Sequence, residues 1–150
     1  MTGNTAMTAI PHSTDTLVVH CSDFRFQAAF RDFVRDTLGI AHYDLLAVPG
    51  GPLLLASPDY LPKFHWAGNR WTAFLVEAHQ LMRAVLIAHD DCAWYFQTCG
   101  RQIDLHARQN QDLELAREHL RRMFPHVAVE LHRARLAGAG ITFEPVKAAA

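Results

Sequence analysis

The sequence predicts an α/β domain with a mostly parallel central sheet, flanking helices and a C-terminal antiparallel hairpin. Three observations carry that expectation. Leu17–His20 and Ala84–His89 are apolar up to their terminal histidines, as in parallel strands covered on both faces. Stretches with helical spacing alternate with these runs, the pattern of strand-helix-strand units. The chain closes on "VAVELHRARLAGAGITFEPV", two strand-like stretches around a Gly-Ala-Gly turn.

Taken in order, the first strand is Leu17–His20, bounded by Asp15 before it and Ser22–Asp23 after it. Phe26, Phe30, Phe33, Val34 and Leu38 then recur at helical spacing, with Gly39 placed as a C-cap. "YDLLAVPGG" reads as a second strand ending in a Pro-Gly-Gly turn. From Pro52 to Gly68 three prolines interrupt any period, which predicts an extended loop with at most a short helix. A helix is expected from Asn69, with Trp71, Phe74, Leu75, Ala78, Leu81 and Met82 on one face. "AVLIAH" is the third strand. A last helix spans roughly Arg108–Phe124, with Leu113, Ala116, Leu120 and Met123 inward, and Pro125 stops it.

At 150 residues the chain is expected to be one domain, residues 16–150, preceded by a flexible leader over residues 1–15. The formal net charge is −1, so no basic excess points to nucleic acid. No apolar run approaches the length of a membrane span, and the first residues lack the pattern of a signal peptide. A cytoplasmic location follows as the expectation. Three cysteines, an odd count, argue against a disulfide framework and for metal or thiol chemistry.

The chemistry concentrates at two strand ends. "HCSDFR" puts Cys21 after the first strand, with Asp23 and Arg25 at alternate positions. "AHDDC" puts His89 and Cys92 after the third, two residues apart, a spacing that lets both reach one metal ion. Open parallel sheets bind ligands at the carboxyl ends of strands where connections diverge. If the two strands are neighbours, about 4.8 Å apart, then Cys21, His89 and Cys92 converge there. Two thiolates and an imidazole suit zinc and leave one coordination position open. Singly, each residue has a plainer reading: a buried hydrophobe, a hydrogen-bonding strand cap, a surface ion pair. Alternation along an extended chain would send residues 21, 23 and 25 to one side. A phosphatase-type loop needs an arginine six positions after its cysteine, where this chain has Gln27. A Cys-x-x-Cys redox motif is absent.

"CSDFR" followed by "HDDC" resembles the β-class carbonic anhydrases, whose pattern is Cys-x-Asp-x-Arg and then His-x-x-Cys. The resemblance runs from Thr16 to Val146 and includes the Gly-rich turn "VPGG" and the closing hairpin. It implies that Cys21, His89 and Cys92 bind zinc and that Asp23 and Arg25 form a catalytic dyad managing the fourth position. The implied reaction is reversible hydration of carbon dioxide to bicarbonate. A sibling hydrolase of carbonyl sulfide or carbon disulfide, and a non-catalytic zinc protein, would carry the same ligands. The resemblance also implies a homodimer or dimer-based oligomer, and the aromatics of Phe26–Phe33 and Trp66–Phe74 are candidates for that interface or for the core. The chain departs from the family pattern at Ala93-Trp94-Tyr95, where a glycine usually follows the second cysteine, and at "VPGGP".

Overall fold

The computed structural model describes residues 9–56, 58 and 61–147. The leader expected over residues 1–15 therefore lies outside the described residues up to position 8. From there, Thr14 donates to the His42 carbonyl, and the Asp15 carbonyl accepts from the Met82 and Arg83 amides.

Five strands form one sheet: β1 (Thr16–His20), β2 (Asp44–Ala47), β3 (Arg83–His89), β4 (Ala128–Ala137) and β5 (Gly140–Pro145). Their order is β2-β1-β3-β4-β5. The first four run parallel, and β5 returns antiparallel beside β4. β1 is thus an interior strand, while β3 is the middle one. Register sets Val18 beside Val85 and His20 beside Ile87, so the two carboxyl ends finish at nearly the same level.

Successive side chains alternate across the sheet and fill two cores. Leu17, Val19, Ala84, Leu86 and Leu131 face helix α4 (Leu105–Met123) through Leu113, Ala116 and Leu120. Val18, Val85 and Ile87 face the opposite way, onto Phe26, Phe30, Phe33 and Val34. The last three belong to α1 (Gln27–Asp32) and the π-helical turn Phe33–Thr37 that continues it. Those phenylalanines are core. α4 starts where Asp104 accepts from the Ala107 amide, a side-chain N-cap that supplies one orphan amide with a partner.

Two elements differ from expectation. The loop over Pro52–Gly68 is instead a 3₁₀ turn, Gly51–Leu55, followed by helix α2 (Pro62–His79). Pro62 occupies the first turn, where a missing amide costs nothing. A Cβ at Gly68 would lie 2.7 Å from Leu54 Cδ1, so glycine is what lets α2 rest on the 3₁₀ turn. The buried stripe of α2 is accordingly His65, Gly68, Thr72 and Val76, and of the face predicted to carry Trp71 and Phe74, those two aromatics are exposed, with Trp66, rather than in the core. The second difference is a short helix, α3 (Ala93–Cys99), directly after Cys92. It stacks with the turn on a third small core of Leu53, Ala56, Tyr95 and the two cysteines.

Candidate metal centre

The connection from β1 leaves through α1 to β2, and the next crosses back through α2 to β3. Their divergence opens the sheet between β1 and β3, at the carboxyl ends. Cys21 follows β1 directly, His89 is the last residue of β3, and Cys92 is the N-cap of α3. One ligand-type atom from each, the two sulfurs and a ring nitrogen, all lie within 4.8 Å of one another. All three residues are buried. Among the described residues this is the one cluster of that kind.

The donor set fits a metal on two further observations. His89 Nδ1 lies 2.7 Å from the Asp90 carbonyl, to which it donates as a protonated nitrogen, and this leaves Nε2 with a lone pair. That Nε2 is buried and has no hydrogen-bond partner among the described residues. A buried imidazole nitrogen with a free lone pair beside two thiols is a donor set of the kind zinc takes. The sulfurs, meanwhile, are poised as a pair. Hydrogen bonding from Cys92 pulls the Cys21 thiol well below its ordinary pKa, helped by His89 and by the Gly50 and Asp23 amides. The same contact and burial push Cys92 up. One thiolate is thus favoured before any metal binds, and a cation would release the second proton.

The glycine turn after β2 is built against this site. Val48 donates to the His20 carbonyl and accepts from Ser22, extending the β1–β2 pairing beyond the strands. Gly50 then donates to Cys21 Sγ at 3.4 Å. Gly51 has φ of +53°, and a Cβ there would sit 2.7 Å from the Cys21 nitrogen. Only glycine permits both that backbone conformation and that approach.

Asp23 and Arg25 reach the site, by a route other than strand alternation. The backbone turns at Asp23, whose carbonyl accepts from the Phe26 amide and whose Oδ1 accepts from the Arg25 amide. Side-chain hydrogen bonding competes with extension at such a residue. Arg25 Nε donates to Asp23 Oδ1 at 3.1 Å, and Nη2 donates to Oδ2 at 2.8 Å. This fork holds the Asp23 carboxyl below its usual range. Both residues, with Cys21, Pro49 and Trp94, line one cavity of about 670 Å³.

Sequence reasoning missed four supports. Arg25 also donates from Nη1 to Asp91 Oδ2 at 2.9 Å and from Nη2 to the Asp91 carbonyl at 3.0 Å, tying the two motif loops together. Gln109, buried on α4, donates to the His89 carbonyl at 2.8 Å. Asp90 accepts from His106 Nε2 and from the Leu136 amide, which fixes the loop to α4 and β4. Gln27, at the position where a phosphatase would need arginine, donates to the Cys21 and Asp23 carbonyls.

No protein-family model matches the sequence, and no curated protein matches it. Solved structures do match its fold. A carbonic anhydrase from Streptococcus mutans aligns with 94% of this chain and 87% of its own, at a TM-score of 0.62 and 15% identity. One from Glaciozyma antarctica aligns over 97% and 89%, at a TM-score of 0.58 and 13% identity. At such identities the likeness is one of fold: the chain has a carbonic anhydrase-like architecture, with a buried Cys-His-Cys cluster fit for a metal.

Proposed function

We propose that the protein is a zinc-dependent lyase of the carbonic anhydrase kind, catalysing reversible hydration of carbon dioxide to bicarbonate. The observation that carries the reading is the convergence of Cys21, His89 and Cys92 within 4.8 Å, beside an Arg25-held Asp23, on this fold. The two sulfurs and His89 Nε2 would hold zinc and leave one coordination position. Zinc so held makes a nucleophile available at neutral pH by lowering the pKa of water to about 7.

This chain's own residues would do the rest. Asp23, kept ionised by Arg25, accepts a proton-bearing hydrogen bond from the attacking water and orients it. Arg25, anchored at Asp91, stops the carboxylate from turning inward to occupy the open position. Arg25 is also the cation at the cavity mouth, suited to an anionic product. Pro49 and Trp94 form part of the cavity wall. Cys21 and Cys92 serve only while reduced, which suits the cytoplasm. Among the described residues, no helix is long and apolar enough to cross a membrane. A homodimer or dimer-based oligomer is part of the proposal, supported by the exposed Phe64, Trp66, Trp71 and Phe74 of α2.

The test is stopped-flow hydration of carbon dioxide by zinc-loaded protein, with carbonyl sulfide and carbon disulfide in parallel. Carbon dioxide turnover supports the reading. Turnover of the sulfur compounds alone moves the protein to the sibling hydrolases. Full zinc loading with no turnover of any of them makes it a non-catalytic zinc protein.

A further inference from the structure

A second cavity lies on the far side of Trp94. It has a volume of about 170 Å³ and is lined by Val48, Leu54, Leu61 and the exposed Phe64 and Trp71, together with Pro49 and Trp94. Pro49 and Trp94 also line the larger cavity over Cys21, so these two residues form a common wall. Trp94 is held edge-to-face against Phe64, with ring centroids 5.9 Å apart. It also packs on Gly50, the residue whose amide donates to Cys21, so closely that a Cβ at Gly50 would lie 2.5 Å from its ring.

The two spaces have opposite chemistry. The outer one presents the Asp23 carboxylate and the Arg25 guanidinium. Among the described residues the inner one has no charged lining side chain, and those that line it are aliphatic or aromatic. Water gains too few hydrogen bonds in such a space. An apolar cavity of about 150 Å³ stays dry and takes up apolar guests. An anion would enter with no partner, at a cost of several kcal/mol or more.

We propose that the inner cavity is a holding site for small uncharged apolar molecules, and that Trp94 is the partition between it and the cavity over Cys21. Carbon dioxide, carbonyl sulfide and carbon disulfide belong to this ligand class, and bicarbonate does not. The chamber thereby favours the uncharged substrate at the site and turns the charged product outward, past Arg25. Its link to turnover rests on the function proposed above; its binding of apolar guests does not.

The test uses crystals of the zinc-loaded full chain under xenon pressure. Xenon density between Leu54, Phe64 and Trp71 supports the chamber, and ordered water or an empty space there overturns it. Leu61→Trp fills the cavity from its rim, and Leu61→Phe replaces it should the larger ring prevent folding. Either should abolish the xenon density and raise KM for the uncharged substrate severalfold, with kcat and zinc content unchanged. Xenon lost without a change in KM would overturn the chamber's role in feeding the site. If the wild type turns over none of the three substrates, the functional reading fails, and the xenon result still decides the chamber.

Discussion

Replacing Arg25 with alanine separates a structural ion pair from a catalytic one. Its side chain makes three contacts with the Asp23 carboxylate and two with Asp91, one of them to the backbone carbonyl. The Arg25 side chain is 38% exposed, so solvent screening reduces each pair to about 0–1 kcal/mol. The expected loss of stability is therefore about 1–2 kcal/mol, or a few degrees in Tm. The effect on turnover should be far larger. After the substitution, Asp23 Oδ1 keeps only the backbone amide of residue 25 and Oδ2 keeps none of its donors. The carboxylate is then free to turn toward the open ligand position. Hydration should fall about 10²–10⁴-fold, the range for a positioned acid–base group, while zinc content stays near one per chain. Arg25→Lys keeps the charge without the fork and should recover only part of the loss. Asp91→Ala leaves the fork intact and should cost less than Arg25→Ala. Turnover within about threefold of wild type in Arg25→Ala, with zinc bound, would refute the assignment.

Three further predictions concern two supports of the site and two half-buried histidines away from it. Gln109→Leu removes the donor that holds the His89 carbonyl, and zinc affinity should weaken about 10–100-fold in a competition titration. The change leaves the His89 carbonyl without this donor but also removes Gln109 Oε1, buried with no partner among the described residues. The two effects offset in part, so Tm should fall by a few degrees at most; a larger drop would mark Gln109 as merely structural. Gly51→Ala forces a Cβ onto the Cys21 backbone at positive φ, and should lower stability by about 2 kcal/mol or more in urea denaturation. Burial holds His119 and His132 below the ordinary histidine pKa. A depressed histidine contributes stability that is complete above its unfolded value, near 6.5, and is lost as pH falls from there toward the folded value. Metal-free protein should therefore lose Tm between pH 7.5 and 5.5, and His132→Leu should flatten that slope; an unchanged slope would show that another group titrates.

What the sequence revealed depended on how each feature is encoded. β1 and β3 were legible because strands covered on both faces must be apolar for their whole length, and the ligand residues stand where that apolarity ends. α2 was misplaced because prolines were read as breakers, though Pro62 sits where a helix tolerates one. Its buried stripe was not legible because close contact with the 3₁₀ turn selects a small residue, Gly68, rather than a large one. α3 escaped because seven residues give too few turns for a period. Asp91 was visible only as part of "HDDC". Gln109 was invisible for another reason: its partner is a main-chain carbonyl, and a carbonyl acceptor leaves no mark on the sequence of its own residue.

The hidden supports matter because they join two loops that no motif connects. Cys21 and Asp23 lie on the loop after β1, while His89 and Cys92 lie on the loop after β3. Strand pairing aligns the loops only as far as His20 and Ile87. Beyond that level, Arg25 bridges Asp23 to Asp91, Gly50 reaches Cys21 from the β2 turn, and Gln109 fixes the His89 carbonyl. Each tie acts on a ligand or close to one, so the fold itself holds the donor atoms near one another. A cluster preorganised in this way pays less of its ordering cost when a metal arrives. What then chooses the metal is the donor set. Two thiolates and one imidazole favour zinc over the hard cations that seek oxygen, and under the proposed function Asp23 would orient the nucleophile while Arg25 keeps it from becoming a fourth donor.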